Sequence, residues 1–147
     1  MAQAFPVVAA GSPRRPAKTS TDSNQVTFAG ETINVVAAQL TLGALLGNIL
    51  VPKGAEILFV QLDATDLDTG GSPAITLEIG DAGDTDRLLA ANSIGQTGAA
   101  PVGPTIAKTG FGYKYTDETL VSVRVAVAPA TAAATGVIKY GVAYVSQ

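Results

Sequence analysis

Carboxylates are the groups in this chain best placed to do chemistry. Six of them fall in two short stretches, Asp63, Asp66 and Asp68 in the first and Asp81, Asp84 and Asp86 in the second. Asp68 opens an Asp68-Thr69-Gly70 triplet, and two such aspartates meeting about a twofold axis could share a proton and activate water. If the two stretches converged, their oxygens could instead surround calcium, which takes roughly six to eight oxygen ligands. The same set, or Glu78, could supply the acid and nucleophile of glycoside hydrolysis. Tyr113, Tyr115, Tyr140 and Tyr144 are the candidate stacking surfaces for a sugar. Arg14, Arg15 and Lys18 form a basic cluster that could meet phosphates or an acidic protein surface.

What the chain lacks removes most of these readings. It has no histidine and no cysteine, so the usual general base at neutral pH, the commonest metal ligand and any thiolate are missing, as is a disulfide framework. The triplet at Asp68 is that of aspartic proteases. That family continues with a small residue and an Ala-Asp pair, whereas Gly71-Ser72-Pro73 follows here and no later apolar-apolar-Gly segment braces the site. As a turn the triplet explains itself, because Asp bonds the backbone ahead of it and Gly accepts positive φ. The acidic stretches lack EF-hand spacing, and Asx turns on a solvated rim account for them. There is no Trp to stack on a sugar. Gly110-Phe111-Gly112-Tyr113 does not complete a nucleotide-binding glycine motif, and no Walker sequence occurs. No catalytic, cofactor or metal-binding residue is therefore expected, and Arg14, Arg15 and Lys18 remain as partner-binding candidates. Three cations on a chain of net charge −3 are too few for tight nucleic-acid binding.

Elements rich in alternation must position these groups. An apolar fraction of 47%, only 14% charged residues and 24 Gly plus Pro (16 and 8) in 147 residues describe a turn-rich β protein of one domain. Ile57, Phe59 and Gln61 are expected on one face of a strand and Leu58, Val60 and Leu62 on the other. Ile75, Leu77 and Ile79 alternate with Thr76 and Glu78 in the next. Val26 to Val36 reads as a strand pair around Gly30, and Ala37 to Gly47 is open between a short helix and a strand. Arg87 to Ile94 begins another strand, Gly95 to Gly110 is a long loop, and Phe111 to Tyr115 is a further strand. Val121, Val123, Val125 and Val127 alternate with Ser122, Arg124, Ala126 and Ala128, and Ile138, Tyr140, Val142 and Tyr144 do the same with Lys139, Gly141 and Ala143. Pro129 to Gly136 is expected to join these two as a hairpin. The total is about seven to eight strands in an antiparallel β-sandwich or jelly roll.

Residues 1–25 read differently, as an extended N-terminal arm preceding a sandwich domain of residues 26–147. The arm holds three prolines, and Arg14, Arg15 and Lys18 against Asp22 give it a formal charge of +2; subtracting this from the whole-chain −3 leaves −5 for the body. Fully extended, it spans on the order of 80 Å. No basic region precedes the short apolar run of residues 1–11, so a secretory signal is not expected. Thr32 to Pro52 carries no charge over its 21 residues, yet Asn34, Gln39 and Asn48 suit buried strand and turn better than a membrane span.

Taken in order, Pro52-Lys53-Gly54, Asp66-Leu67-Asp68-Thr69-Gly70, Gly80-Asp81-Ala82-Gly83-Asp84 and the closing pair of strands resemble the small β-sandwich proteins of tailed-bacteriophage heads, the decoration or cement proteins. The resemblance covers roughly Val26 to Ser146. It implies a non-enzymatic virion protein, made in the host cytoplasm, that binds the major capsid protein on the capsid surface. It also implies a homo-oligomer, with a trimer favoured, that bridges capsomers, and neither nucleic acid nor membrane as a direct partner. Other head, tail or head-fibre roles share the fold, and a carbohydrate- or receptor-binding module is the rival from another class.

Overall fold

The computed structural model describes residues 25–97 and 99–146. The expected arm, with Arg14, Arg15 and Lys18, therefore lies outside the described residues but for Gln25. Among the described residues eight strands form: β1 (Val26–Val36), β2 (Leu45–Val51), β3 (Ala55–Ala64), β4 (Thr76–Asp81), β5 (Asp84–Asn92), β6 (Val102–Thr105), β7 (Thr119–Val127) and β8 (Thr135–Ser146). A 3-10 turn, Ala37–Gln39, leaves β1, which settles the ambiguous Ala37 to Gly47 segment as turn and strand start. Among the described residues no helix is long and apolar enough to cross a membrane.

The strands pack as two four-stranded antiparallel sheets, β1-β8-β3-β6 and β2-β7-β4-β5. Each outer strand of the sequence pairs with its mirror image: β1 with β8, β2 with β7, β3 with β6 and β4 with β5. The chain is thus one long hairpin rolled onto itself, with its tip at Ala82-Gly83, and the expectation of sandwich or jelly roll resolves to the jelly roll. The two most strongly alternating segments, β7 and β8, take the central positions of opposite sheets. Their inward rows, Val121, Val123 and Val125 against Ile138, Tyr140, Val142 and Tyr144, are buried, and complete burial of each aliphatic contributes roughly 1.5–3 kcal/mol.

Five expectations need correcting. The segment from Pro129 to Gly136 is a crossover between sheets, because β7 and β8 belong to different ones; alternation fixed which face each strand buries and said nothing about its partner. Val26 to Val36 is one continuous strand, in register with β8 from Val26↔Val145 to Val36↔Thr135. In β3 the register shifts between Ile57 and Phe59, so Ile57 joins Val60 and Leu62 in the core and not Phe59 and Gln61 on the outside. Phe111 to Tyr115 forms only a single bridge, Lys114 to Glu56. The loop from Gly95 to Gly110 contains β6.

A second irregularity fastens the sheets together. In β2 the pairing with β7 skips between Leu46 and Ile49, and Gly47 there has φ 78°. A Cβ on Gly47 would lie 2.6 Å from the Tyr140 ring, so glycine is required for both conformation and space. The Tyr140 hydroxyl accepts the Ile49 N–H at 3.1 Å and lies 3.0 Å from the Val121 carbonyl. Glu31 Oε2, 3.2 Å from that hydroxyl, accepts the Asn48 N–H at 2.7 Å. One tyrosine thereby ties β8 to β1 in its own sheet and to β2 and β7 in the other.

Candidate functional site

The two acidic stretches flank β4, and the ends of one strand are the ends of the sandwich. Six residues at about 3.3 Å each put roughly 20 Å between them. The six aspartates therefore do not converge, and among the described residues no group of three or more potential ligands could hold a metal.

At the first end Asp68 is fully buried. Its Oδ2 accepts backbone N–H groups of Ala74 at 2.7 Å, Ala130 at 2.8 Å and Ile75 at 3.2 Å, and its Oδ1 those of Thr131 at 2.9 Å and Gly70 at 3.2 Å. Burial alone would raise this carboxyl, but the hydrogen bonds from Ala74, Thr131, Ala130 and Ile75 outweigh it and hold the group well below the usual carboxylate range. An acceptor held ionised at neutral pH and saturated by amides has no proton to offer there. Asp68 instead stitches the β3–β4 loop to the β7–β8 crossover, helped by Thr69 N–H to the Thr131 carbonyl and Ala133 N–H to that of Leu67. Asp66 accepts the Asp68 N–H and the Thr97 hydroxyl, and Asp63 sits on β3 opposite Lys139.

At the other end a denser network forms around Asp81. Arg87 reaches back along the hairpin to place Nε 2.6 Å from Asp81 Oδ2, the Tyr115 hydroxyl donates to the same oxygen at 2.8 Å, and the Gly83 and Asp84 N–H groups bond Oδ1. Burial pushes the Asp81 carboxyl up, but Arg87, Tyr115 and Gly83 pull it below the usual range; burial and Asp81 together push the Tyr115 hydroxyl far up. The Arg87 guanidinium also stacks 4.0 Å above the Tyr113 ring, whose edge meets Tyr115 at 5.0 Å between centroids. Asp84 lies 3.8 Å from Arg87. Exposed Asp86 has its carboxyl raised by a hydrogen bond shared with Asp84. Glu78, half a strand away, holds Arg124 at 2.7 Å.

None of this is arranged to turn over a substrate. Every carboxylate with a depressed pKa is engaged by amides, Arg87 or Tyr115, and Glu78 is committed to Arg124. The tyrosines do not form a sugar platform either: Tyr115, Tyr140 and Tyr144 are buried, and Arg87 covers Tyr113. Sequence reasoning missed Arg87 and Phe111. Arg87 was hidden because its partner follows from hairpin geometry, while Phe111 was read as a strand residue although its flanking Gly110 and Gly112 signal a turn.

No protein-family model and no curated protein matches the chain. Solved structures do. A chain of the cyanophage Pam1 capsid asymmetric unit is 30% identical with a TM-score of 0.70, over 97% of this chain and 99% of that one. The chain belongs to the phage capsid-associated β-sandwich proteins. A chain from the capsid of Ralstonia phage GP4 gives the same identity and TM-score over 90% of this chain and 92% of its own length. At 16% identity and a TM-score of 0.51, a chain in the acid-stable capsid structure of Helicobacter pylori bacteriophage KHP30 shares the fold. As a capsid-associated protein the molecule is a non-enzymatic, structural component of the virion, in line with carboxylates that serve as loop clasps.

Proposed function

We propose that the chain is a decoration, or cement, protein: it binds the assembled phage head at its outer surface and stabilises it by bridging neighbouring capsomers. The observation that carries this reading is the near end-to-end match to a chain of the Pam1 capsid asymmetric unit. A chain of 147 residues is small for a main shell protein but sufficient for a module attached to one. A homotrimer suits the role, since a symmetric oligomer repeats each weak contact and gains avidity from linkage. The major capsid protein is the proposed partner. Arg14, Arg15 and Lys18, on a segment whose charge is opposite to that of the body, are proposed contacts to it or to a neighbouring copy.

Heads of the chain's own phage, prepared without it, provide the test. Adding the purified protein is expected to raise the temperature of DNA release by several degrees, and removing residues 1–25 to lower the amount retained. Protein that binds without shifting DNA release would rule out a cementing role.

A further inference from the structure

The Asp81 network has no reaction to perform, yet it gathers a buried tyrosine, a half-buried one and a charge pair. What it supports is the loop between β6 and β7. Arg87 stacks on Tyr113, Thr109 donates to the Arg87 carbonyl at 2.9 Å, and the Ala107 N–H bonds the Leu88 carbonyl at 2.9 Å. Within the loop, Gly110 and Phe111 both donate to the Ala107 carbonyl and Tyr113 to that of Gly110. Gly110 is pressed against the hairpin so closely that a Cβ would lie 2.7 Å from the Arg87 carbonyl oxygen. At the top of this stalk Phe111 is 80% exposed, the most exposed large apolar side chain among the described residues.

From this we infer that Phe111 is the anchor by which the protein docks on the shell, its ring seated in an apolar socket of a capsid protein; the inference rests on the decoration reading and names the surface used. An aromatic ring on a rigid support loses little conformational entropy on burial, and such residues dominate interface energetics. Charge points to protein as the partner. Lys108 and Lys114 are balanced along the same stretch by Asp117 and Glu118, so neither anionic lipid nor nucleic acid is drawn to it. A sugar would need a second open ring, and Tyr113 already carries Arg87.

Binding of Phe111→Ser to heads lacking the chain, measured by cosedimentation over a concentration series, tests this beside the wild type and Leu45→Ser. Leu45 is also exposed, at 64%, but lies on β2. Phe111→Ser is expected to bind roughly tenfold to a hundredfold more weakly, with unchanged melting temperature and unchanged mass by light scattering, while Leu45→Ser binds as wild type. Unchanged binding of Phe111→Ser, or an equal loss in Leu45→Ser, overturns the anchor. A fall in mass on replacing Phe111 overturns it in favour of a contact between copies. Wild-type protein that fails to bind heads at all removes the decoration reading itself.

Discussion

Asp68 shows how far a single residue can be read from its neighbours. The Asp68-Thr69-Gly70 turn was legible from Asp68, which bonds the amide two residues on; Gly70, expected at positive φ, does not adopt it. That the other Asp68 oxygen would reach Ala130, 62 residues away, was not legible, because a distant backbone donor leaves no mark on the sequence. The separation of the two acidic stretches, left open by the sequence, follows from the one strand between them, which puts them at opposite ends. The depressed carboxyl also fixes a pH response. Its folded pKa lies below its unfolded value of about 3.9, so its contribution is complete above that value and is lost as pH falls through it toward the folded pKa. Asp68→Asn is expected to lower the melting temperature at pH 7 by several degrees and to narrow the gap from the wild type as pH drops below about 4. Thermal melts from neutral to acid pH check this; parallel curves for the two proteins would show that the carboxylate charge does not matter.

Among elements, the strands with clean alternation, β4, β7 and β8, were recognisable, and the irregular ones were not. The bulge after Ile57 reverses the apparent face of half of β3, and no side-chain period reports a register shift in advance. β6 is only four residues long, too short for a period. Its neighbouring loop owes its form to Arg87, whose side chain is 16% exposed against 6% for Asp81. Arg87→Met would leave the Asp81 carboxylate without its counter-charge, held only by Tyr115 and the Gly83 and Asp84 amides. The expected cost is about 2 kcal/mol, below the loss for a wholly buried pair because solvent reaches the guanidinium. Hydrogen exchange is expected to quicken at residues 107–113 while β7 and β8 keep their protection. Uniform acceleration across all strands would mean that the network supports the whole sandwich and not one loop.

For the whole molecule, the class was legible from composition and strand count, and the topology was not. The last two strands were expected to pair as a hairpin, yet among the described strands only β4 and β5 are both consecutive and paired. Closing the nested pairs β3 with β6, β2 with β7 and β1 with β8 requires successively longer loops, each adding entropy that must be overcome before contacts form. Refolding from denaturant is therefore expected in the slow range for β proteins, roughly milliseconds to seconds, and stopped-flow fluorescence of the tyrosines would measure it. A microsecond phase carrying the full amplitude would contradict the nested order of assembly.

The position of β8 has a consequence for synthesis. Thr135–Ser146 lies between β1 and β3, so a nascent chain that has emerged only as far as β7 holds one sheet with a gap at its centre. Both flanking strands then present open edges that can recruit strands from other nascent chains. Completion of the fold thus waits on the release of β8 from the ribosome. A chain that stops before Thr135 should be an aggregation seed, not a shortened but working copy.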